Sequence, residues 1–561
     1  MRQVMVVLCL LAAAAAMGQQ TLSESIEVRV VNVEVVVTDK AGHRVVGLGR
    51  DDFELFEDGI PQKITNFYDV RPPLTTTSTQ TATDDASQPP IELTRRRFLL
   101  FVDSYSVDPR LRRKVLTSMK KFVETELREH DEASLVVWNR KLDIVRPLTS
   151  DRKLLLSSID DLIEHGNPYS TTMETATMKD YCVTQLEAAR SSMQSYKTAY
   201  TVCRAAVDRH SEEVRLVSQN LLQSMRGVIA TLGGIEGRKV MLLAGGQLAE
   251  RPGLDLLQWA IDLFAPYVIS NENVRNLDQN TDQRIDSANA ALMTASRSQG
   301  RALESVIRDA NAAGVTMYVI NAQGAHESMS ASAIVAPNES SNYTAEQNTT
   351  GSYETLAHGT GGVAVAHPDF DVAFRTVAED LSSYYSLGYR PGGETNGQRR
   401  IVVRMKNPAY TARARENYTT KSNEQEIADR VVANLYHSGV SSDWPINVRI
   451  GNRVKEGRNF RVPVEITIPN RLLLLPADNA QLAGGVTMYI ATGDEHGDYS
   501  GVVRRAQPIR LAADREHGFR DKPIVIATSV LMKRDANRIS VGVIDTVSRE
   551  SGYAQVQLAA K

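Results

Sequence analysis

The side chains in this 561-residue chain that could do chemistry are few, and their spacing narrows them further. The ten histidines are scattered, with no His-Glu-x-x-His pair and no interval that would gather ligands around zinc. Neither Cys182 nor Cys203 has a neighbouring histidine to activate it as a nucleophile. Both fall in a helix-rich stretch, Thr171 to Leu232, dense in Ala, Gln, Glu, Met and Leu. Ser191 and Ser192 lie near their midpoint and can open a turn, so two antiparallel helices would bring the thiols level. In an oxidising compartment this predicts a Cys182–Cys203 disulfide, with two buried free thiols as the alternative. The run His358-Gly359-Thr360-Gly361-Gly362 has the glycines of a phosphate loop, but it precedes a strand and reads as a tight turn. Asp494-Glu495-His496-Gly497-Asp498 could hold Ca²⁺, although acidic Gly-containing hairpin tips are more often simply solvated. Asp103 ends the apolar run Phe98 to Val102, which places a carboxylate at the end of a strand buried on both faces. Its structural role there would be to accept backbone N–H bonds from the following turn.

The elements that must position these groups alternate between strand and helix from Arg95 to Tyr389. Arg97–Asp103, Ala133–Trp138, Leu142–Val145, Arg238–Leu243, Val315–Ile320 and Val363–Ala366 read as strands. Leu111–Leu127, Arg152–Ile163, Arg301–Ala313, Tyr353–His358 and Phe370–Leu381 read as helices. This predicts a doubly wound α/β domain over 95–390, with a helical insertion at 171–232 and any ligand at the carboxyl ends of the strands. Residues 24–71 read as a small β domain of their own. Its apolar alternation slips at Val30 and Val31, suggesting a bulge, and Asp58-Gly59 signals a hairpin whose second strand is Gln62–Tyr68. Residues 72–94 are a Thr/Ser/Asp/Pro-rich flexible linker, and Ser328–Tyr353 a Ser/Asn/Thr-rich loop. Tyr384–Tyr389 and Arg399–Met405, joined through Pro391-Gly392-Gly393, suggest a β-hairpin extension over 391–420. Helix Asn423–Tyr436 leads into a C-terminal immunoglobulin-like β-sandwich over 421–561, in which Pro463 marks an edge strand.

The composition, 42% hydrophobic and 23% charged, is that of globular protein, and the length suggests three or four domains. A net charge of −3 leaves no basic footprint for nucleic acid. Arg2 and the apolar run Val4–Ala16 read as a signal peptide over 1–18, too short to span a bilayer, with Ala16 and Gly18 flanking a cleavage point. Cys9 lies inside that run without the small residues of a lipid-attachment site. No other stretch is long and apolar enough for a transmembrane segment, so the reading is an exported protein, periplasmic or extracellular.

An ordered series of motifs then carries a resemblance. Thr38-Asp39-Lys40-Ala41-Gly42, Val46-Gly47-Leu48, Asp52-Phe53 with Asp58-Gly59, the strand ending at Asp103, and Ala313-Gly314-Val315 before Tyr318-Val319-Ile320 form its first part. Leu356 to Gly362, Tyr384 to Tyr389 and Ala412 to Tyr418 complete it. Over roughly 25 to 420 the chain resembles the exported VWFA-related domain proteins typical of acidobacteria. The resemblance implies a von Willebrand A-like (Rossmann-like) domain, a type that often binds Mg²⁺ through an Asp-x-Ser-x-Ser loop, a Thr and a second Asp. Here Asp103 is in place, but Tyr105 and Val107 hold the serine positions, and Ser104 and Ser106 are one residue out of register. Thr171 and Thr172 offer hydroxyls in the second loop, whereas Ala244-Gly245-Gly246 supplies no carboxylate in the third.

The expectation is therefore a non-enzymatic exported protein-interaction module, adhesive or scaffolding, with a degenerate metal-ion-dependent adhesion site. It would contact a protein partner of the cell envelope through Asp103, Ser104, Ser106, Asp108, Thr171, Thr172, Gly245 and Gly246. The alternatives are divalent-metal-dependent adhesion, with weak Mg²⁺ or Ca²⁺ at Asp103, Ser106 and Thr171, and a hydrolase, for which no constellation is visible.

Overall fold

The computed structural model describes residues 30–71, 95–166, 170–189, 193–268, 299–322, 339–391, 397–437, 440–478 and 481–558. The expected signal peptide, the 72–94 linker, Asn167–Tyr169, the Ser191-Ser192 turn and residues 323–338 lie outside them. In chain order the first strands are β1 (Val31–Asp39), β2 (Phe53–Glu57), β3 (Ile60–Gln62), β4 (Ile64–Val70), β5 (Arg96–Asp103), β6 (Glu132–Trp138) and β7 (Leu142–Thr149). They are followed by β8 (Arg238–Gly245), β9 (Val315–Asn321), β10 (Ala364–Ala366), β11 (Tyr384–Tyr389), β12 (Gln398–Met405), β13 (Tyr410–Arg413) and β14 (Asn417–Thr419). The helices are α1 (Pro109–Glu126), α2 (Arg152–His165), α3 (Thr171–Ala188), α4 (Met193–Leu232) and α5 (Leu254–Val268). Then come α6 (described over 299–313), α7 (Glu339–Gly359), α8 (Phe370–Ser382) and α9 (Asn423–Tyr436).

The apolar runs do assemble into one sheet, in the order β10-β9-β8-β5-β6-β7, parallel throughout except for β7. Numbered within this sheet the order is 3-2-1-4-5-6, so the winding reverses between β5 and β8 and opens a crevice outside their carboxyl ends. All eight residues of β5 and of β8 are buried, because helices cover both faces. On one face Leu221, Met225, Ile229 and Leu232 of α4 pack with Leu303 and Val306 of α6 and Leu356 of α7. On the other, Val115, Met119 and Phe122 of α1, Ile159 of α2 and Phe374 of α8 pack together.

The division expected at 71 and 390 is not how the strands pair. β1 lies between β11 and β13, β4 pairs with β11, and β2 pairs with β12. Residues 24–71 are thus not a separate β domain, and 391–420 is not a hairpin extension. The two segments interleave in shared sheets around Val33, Val35, Leu55, Tyr385, Leu387 and Tyr389. β11, all of it buried, belongs to these sheets rather than to the α/β sheet. The physical reason is that β1 has two edges to pair and the other strands of its own segment are engaged elsewhere, β2 with β12 and β3 and β4 with β11. Both of its neighbours, β11 and β13, therefore come from the later segment. The alternation of β1 slips not at Val30 and Val31 but at Val35-Val36-Val37, where its partner changes from β11 to β13. The Asp58-Gly59 turn forms as expected, with φ of 49° and 82°. After it β3 pairs with β2, whereas β4 crosses to the other sheet.

Cys182 and Cys203 are disulfide-bonded between antiparallel α3 and α4, with Cα atoms 5.0 Å apart. Helix α7 begins at Glu339, inside the stretch read as a loop; it packs on α5 and β9, so tertiary contact outweighs a Ser/Asn/Thr-rich composition. Helix α9 forms as expected behind a capping box of Ser422 and Gln425. It packs on α4 and on the last sheets, joining the two parts of the molecule.

Those sheets contain β15 (Asn447–Ile450), β16 (Val454–Glu456), β17 (Asn459–Ile468), β18 (Ala477–Asp478) and β19 (Gln481–Gly493). β20 (Val503–Ala512), β21 (Ile524–Met532), β22 (Arg538–Asp545) and β23 (Ser551–Gln557) follow. Two antiparallel sheets, one on β17 and one on β19, share a core of Val462, Val464, Ile466, Ile490, Ile539 and Val541. Pro463 does not mark an edge, because β17 is flanked on both sides. The Pro463 carbonyl accepts from Gly451 N–H (2.9 Å), so its missing donor faces the break between β15 and β16, where no ladder bond is lost. The Asp494–Asp498 tip is not freely solvated either. A Cβ on Gly497 would stand 3.0 Å from Leu142, so this tip packs against the β6–β7 turn.

Candidate functional site

The crevice at the carboxyl ends of β5 and β8 is where the α/β winding order places a ligand, and the expected residues do meet there. Asp103 is 1% exposed, and its Oδ1 accepts from Ser106 N–H at 3.1 Å. The Ser106 hydroxyl accepts from Gly246 N–H at 2.8 Å and leans on the Asp103 carbonyl at 3.4 Å. Gly246 has to be glycine for packing reasons: a Cβ would fall 2.2 Å from the Ser106 carbonyl oxygen. Thr171 joins through Tyr105, whose carbonyl accepts its N–H at 2.9 Å and whose hydroxyl its side chain also meets.

Three expected members play other parts. Asp108 caps α1 by accepting from Arg110 N–H at 2.8 Å and pairs with the Arg110 guanidinium. Ser104 is held through its backbone, N–H to the Trp138 carbonyl and carbonyl to Arg112 Nη2. Thr172 lies in the first turn of α3, half-buried. Every residue from Asp103 to Val107 is buried, as are Gly245 and Gly246, so the loops expected to meet a partner present no exposed side chain at these positions.

Two residues that complete the crevice had no visible signal. Tyr353, from α7, is 2% exposed, and its hydroxyl stands 2.7 Å from where a Cβ on Gly245 would be. Glu174, in the first turn of α3, accepts from the Tyr105 hydroxyl. A tyrosine in a low-complexity stretch and a glutamate in an insertion carry no periodic signature that would join them to β5. Burial pushes the Asp103 carboxyl up to about 6, against hydrogen bonds from Ser106 and Tyr105 and the charge of Arg112. Burial and the nearby Asp103 also hold the Tyr353 phenol well above its ordinary value.

The donor set does not fit a hard divalent cation. Such an ion wants about six oxygens, several of them anionic. Here one carboxylate is sealed, the Ser106 hydroxyl is engaged by Gly246, Thr171 turns to Tyr105, and Val107 is fully buried. Among the described residues no three His, Cys, Asp or Glu side chains are grouped to hold a metal. Among the described residues hydroxyls meet imidazoles at Thr175–His210 and Thr231–His437, both at 3.0 Å, with His210 9% and His437 3% exposed.

Around the sealed floor runs an exposed charged rim. Arg140 sits at the β6–β7 turn with φ of 60°, a left-handed conformation costly for a side-chain-bearing residue. That turn aims its guanidinium over the Tyr105 ring at 5.3 Å and into ion pairs with Glu174 (3.5 Å) and Glu213 (2.6 Å). The Arg140 and Glu213 side chains remain 47% and 49% exposed.

No protein-family model matches the chain, and no curated protein matches it in sequence. Among solved structures, 51% of this chain overlays 98% of an aerotolerance-related membrane protein from Bacteroides fragilis NCTC 9343, at 8% identity and a TM-score of 0.23. Likewise 51% overlays 97% of BatB from Bacteroides thetaiotaomicron, at 10% identity and a TM-score of 0.22. Overlaps this loose assign neither family nor activity.

Proposed function

We propose that the chain is a non-enzymatic protein-interaction module of von Willebrand A-like type, exported to the periplasm or beyond. In this reading its metal-dependent contact has been replaced by a direct one. The observation that carries it is the sealed crevice at the winding reversal: Asp103, Ser106, Gly246 and Tyr353 fill the place where an A-type domain would hold a cation. The 3-2-1-4-5-6 order supports the A-like assignment, and the Cys182–Cys203 disulfide supports an oxidising compartment. With the floor closed, the partner-facing groups are those of the rim, Arg140, Glu174 and Glu213.

The test is crosslinking from envelope extracts with wild type and an Arg140→Glu/Glu213→Lys double variant. Selective loss of a reproducible partner from the variant is the expected result, and an unchanged set removes this rim from the reading. Calorimetric titration with Mg²⁺, Mn²⁺ and Ca²⁺ to about 1 mM should give no saturable heat. A saturable signal that Asp103→Asn abolishes would restore metal-dependent adhesion.

A further inference from the structure

At the opposite, amino-terminal ends of β8 and β9 lies a cavity of about 230 Å³, where the α/β sheet meets the interleaved β sheets. That volume is several times the roughly 30 Å³ of a water molecule and below the roughly 300 Å³ where drug-sized sites begin. Its lining includes three cationic side chains, Arg238, Lys239 and Arg415, and a single carboxylate, Glu34. Glu34 is already committed, with Oε2 at 2.7 Å from Arg238 Nε. Lys239, 9% exposed, donates to the Ile235 carbonyl at 2.8 Å. Arg415 donates through Nη2 to the Asn32 carbonyl at 2.7 Å, while its Nε is buried with no hydrogen-bond partner among the described residues. No described carboxylate comes within ion-pair distance, 4.0 Å, of either Lys239 or Arg415.

Both cations converge on one point. Gly314, at φ of +68°, has only hydrogen where a Cβ would stand 3.8 Å from Lys239 Nζ and 3.9 Å from Arg415 Nη1. Two buried positive charges at a joint, facing a cavity with no carboxylate in ion-pair contact and only the longer-range fields of Glu34 on Arg415 and Asp429 on Lys239, are costly unless an anion supplies closer compensation. We propose that this cavity binds a small tetrahedral oxyanion, phosphate or sulfate, free or as the ester of a small molecule, between Lys239 and Arg415. The ligand would neutralise the joint and brace the α/β sheet against the interleaved strands.

A pH signature accompanies the geometry. Burial pushes the Lys239 amine down to about 7, and Lys421, Arg97 and Arg415 push the same way while Asp429 opposes them. Sulfate keeps both charges across neutral pH, so its binding reports the protein's titration alone. Affinity should fall as pH rises through 7 and the amine loses its proton.

The experiment is calorimetric titration of the full chain with sodium sulfate at about pH 6 and about pH 8.5. Inorganic phosphate and glycerol 3-phosphate form parallel arms at the lower pH. Sulfate should bind more tightly at the lower pH, and Lys239→Met should weaken it by about tenfold or more. Gly314→Asp is the second variant, because Asp tolerates positive φ and would bring its own carboxylate to the two cations. It should lose sulfate binding while its Tm rises, a result that a misfolded variant cannot give. Tighter binding of glycerol 3-phosphate than of phosphate assigns the site to an ester, and the reverse to the free ion. No uptake of any oxyanion by wild type, or equal affinity in all three proteins, overturns the proposal.

Discussion

The two ends of the six-stranded sheet solve the same problem, capping a row of buried strands, in opposite ways. At the carboxyl ends a lone buried carboxylate, Asp103, is closed in by backbone N–H groups, a serine hydroxyl and a tyrosine. At the amino ends charge is abundant: Arg238 pairs with Glu34, Arg44 and Arg413 pair with Asp380, and Tyr318 donates to Asp380 at 2.7 Å. Burial works to neutralise the Asp380 carboxyl, yet Arg413 and Arg44 hold it below its ordinary range. The end that topology nominates for ligands is therefore packed shut. The end that looks purely architectural holds the unbalanced charge.

The largest effect that should separate the two ends comes from Arg238→Met, which leaves Glu34 unpaired in the joint. A loss of about 3 kcal/mol or more is expected in urea denaturation. Next, Cys182→Ser with Cys203→Ser releases a closure of 21 residues' separation and should cost about 3 kcal/mol. Because α3 carries Glu174 over Tyr105, hydrogen exchange should quicken in α3, α4 and the Asp103 loop, but not around Arg238. A uniform increase would mean that the two ends are not independent.

Titration should pull the ends in opposite directions. The folded state keeps a proton on Asp103 up to about pH 6, whereas the unfolded chain releases it near 3.8. Stability thus falls as pH rises between those values, by about 3 kcal/mol at most, and Asp103→Asn should flatten that slope. Lys239 behaves inversely: folded, its amine loses its proton near 7, and unfolded, near 10.5. In anion-free buffer stability should rise with pH across that upper window, and Lys239→Met should flatten it. Smallest is the packing test at Gly245, where a Cβ would press on the Tyr353 hydroxyl at 2.7 Å. Gly245→Ala should cost about 1–3 kcal/mol, and less in a Tyr353→Phe background; equal costs would show that the tyrosine does not close the crevice.

What the sequence disclosed was what local pattern can encode. The runs Phe98–Val102 and Val240–Leu243 are apolar because both faces are covered, and Asp58-Gly59 turns because its φ angles demand it. Helix Asn423–Tyr436 was legible as well, and the structure adds the Ser422–Gln425 capping box that starts it. The Cys182–Cys203 bond followed from two helices and a turn. Long-range partnership was not legible. Nothing in Val31–Val35 indicates that its partner is Tyr385–Tyr389, and nothing in Pro463 indicates that its missing donor would face a gap. The candidate site divides along the same line. Asp103, Ser106 and Gly246 were found from the ends of apolar runs, whereas Tyr353, Glu174 and Arg140 reach it from separate elements.

The pairing of β4 with β11 has a consequence for how the chain folds. Val70 and Tyr384 are direct partners in register, so β4 and β11 make an antiparallel hairpin whose connecting loop is the entire α/β sheet with its helices. An unfolded loop of about 300 residues would oppose closure of that hairpin, although the cost grows only logarithmically with length. Once the α/β sheet has formed, most of that loop is already ordered, and α8 leads from its last strand, β10, directly to β11, so the remaining closure is far shorter than the sequence separation. Loop-closure entropy thereby favours an order of assembly in which the inserted sheet forms before the strands that flank it in sequence.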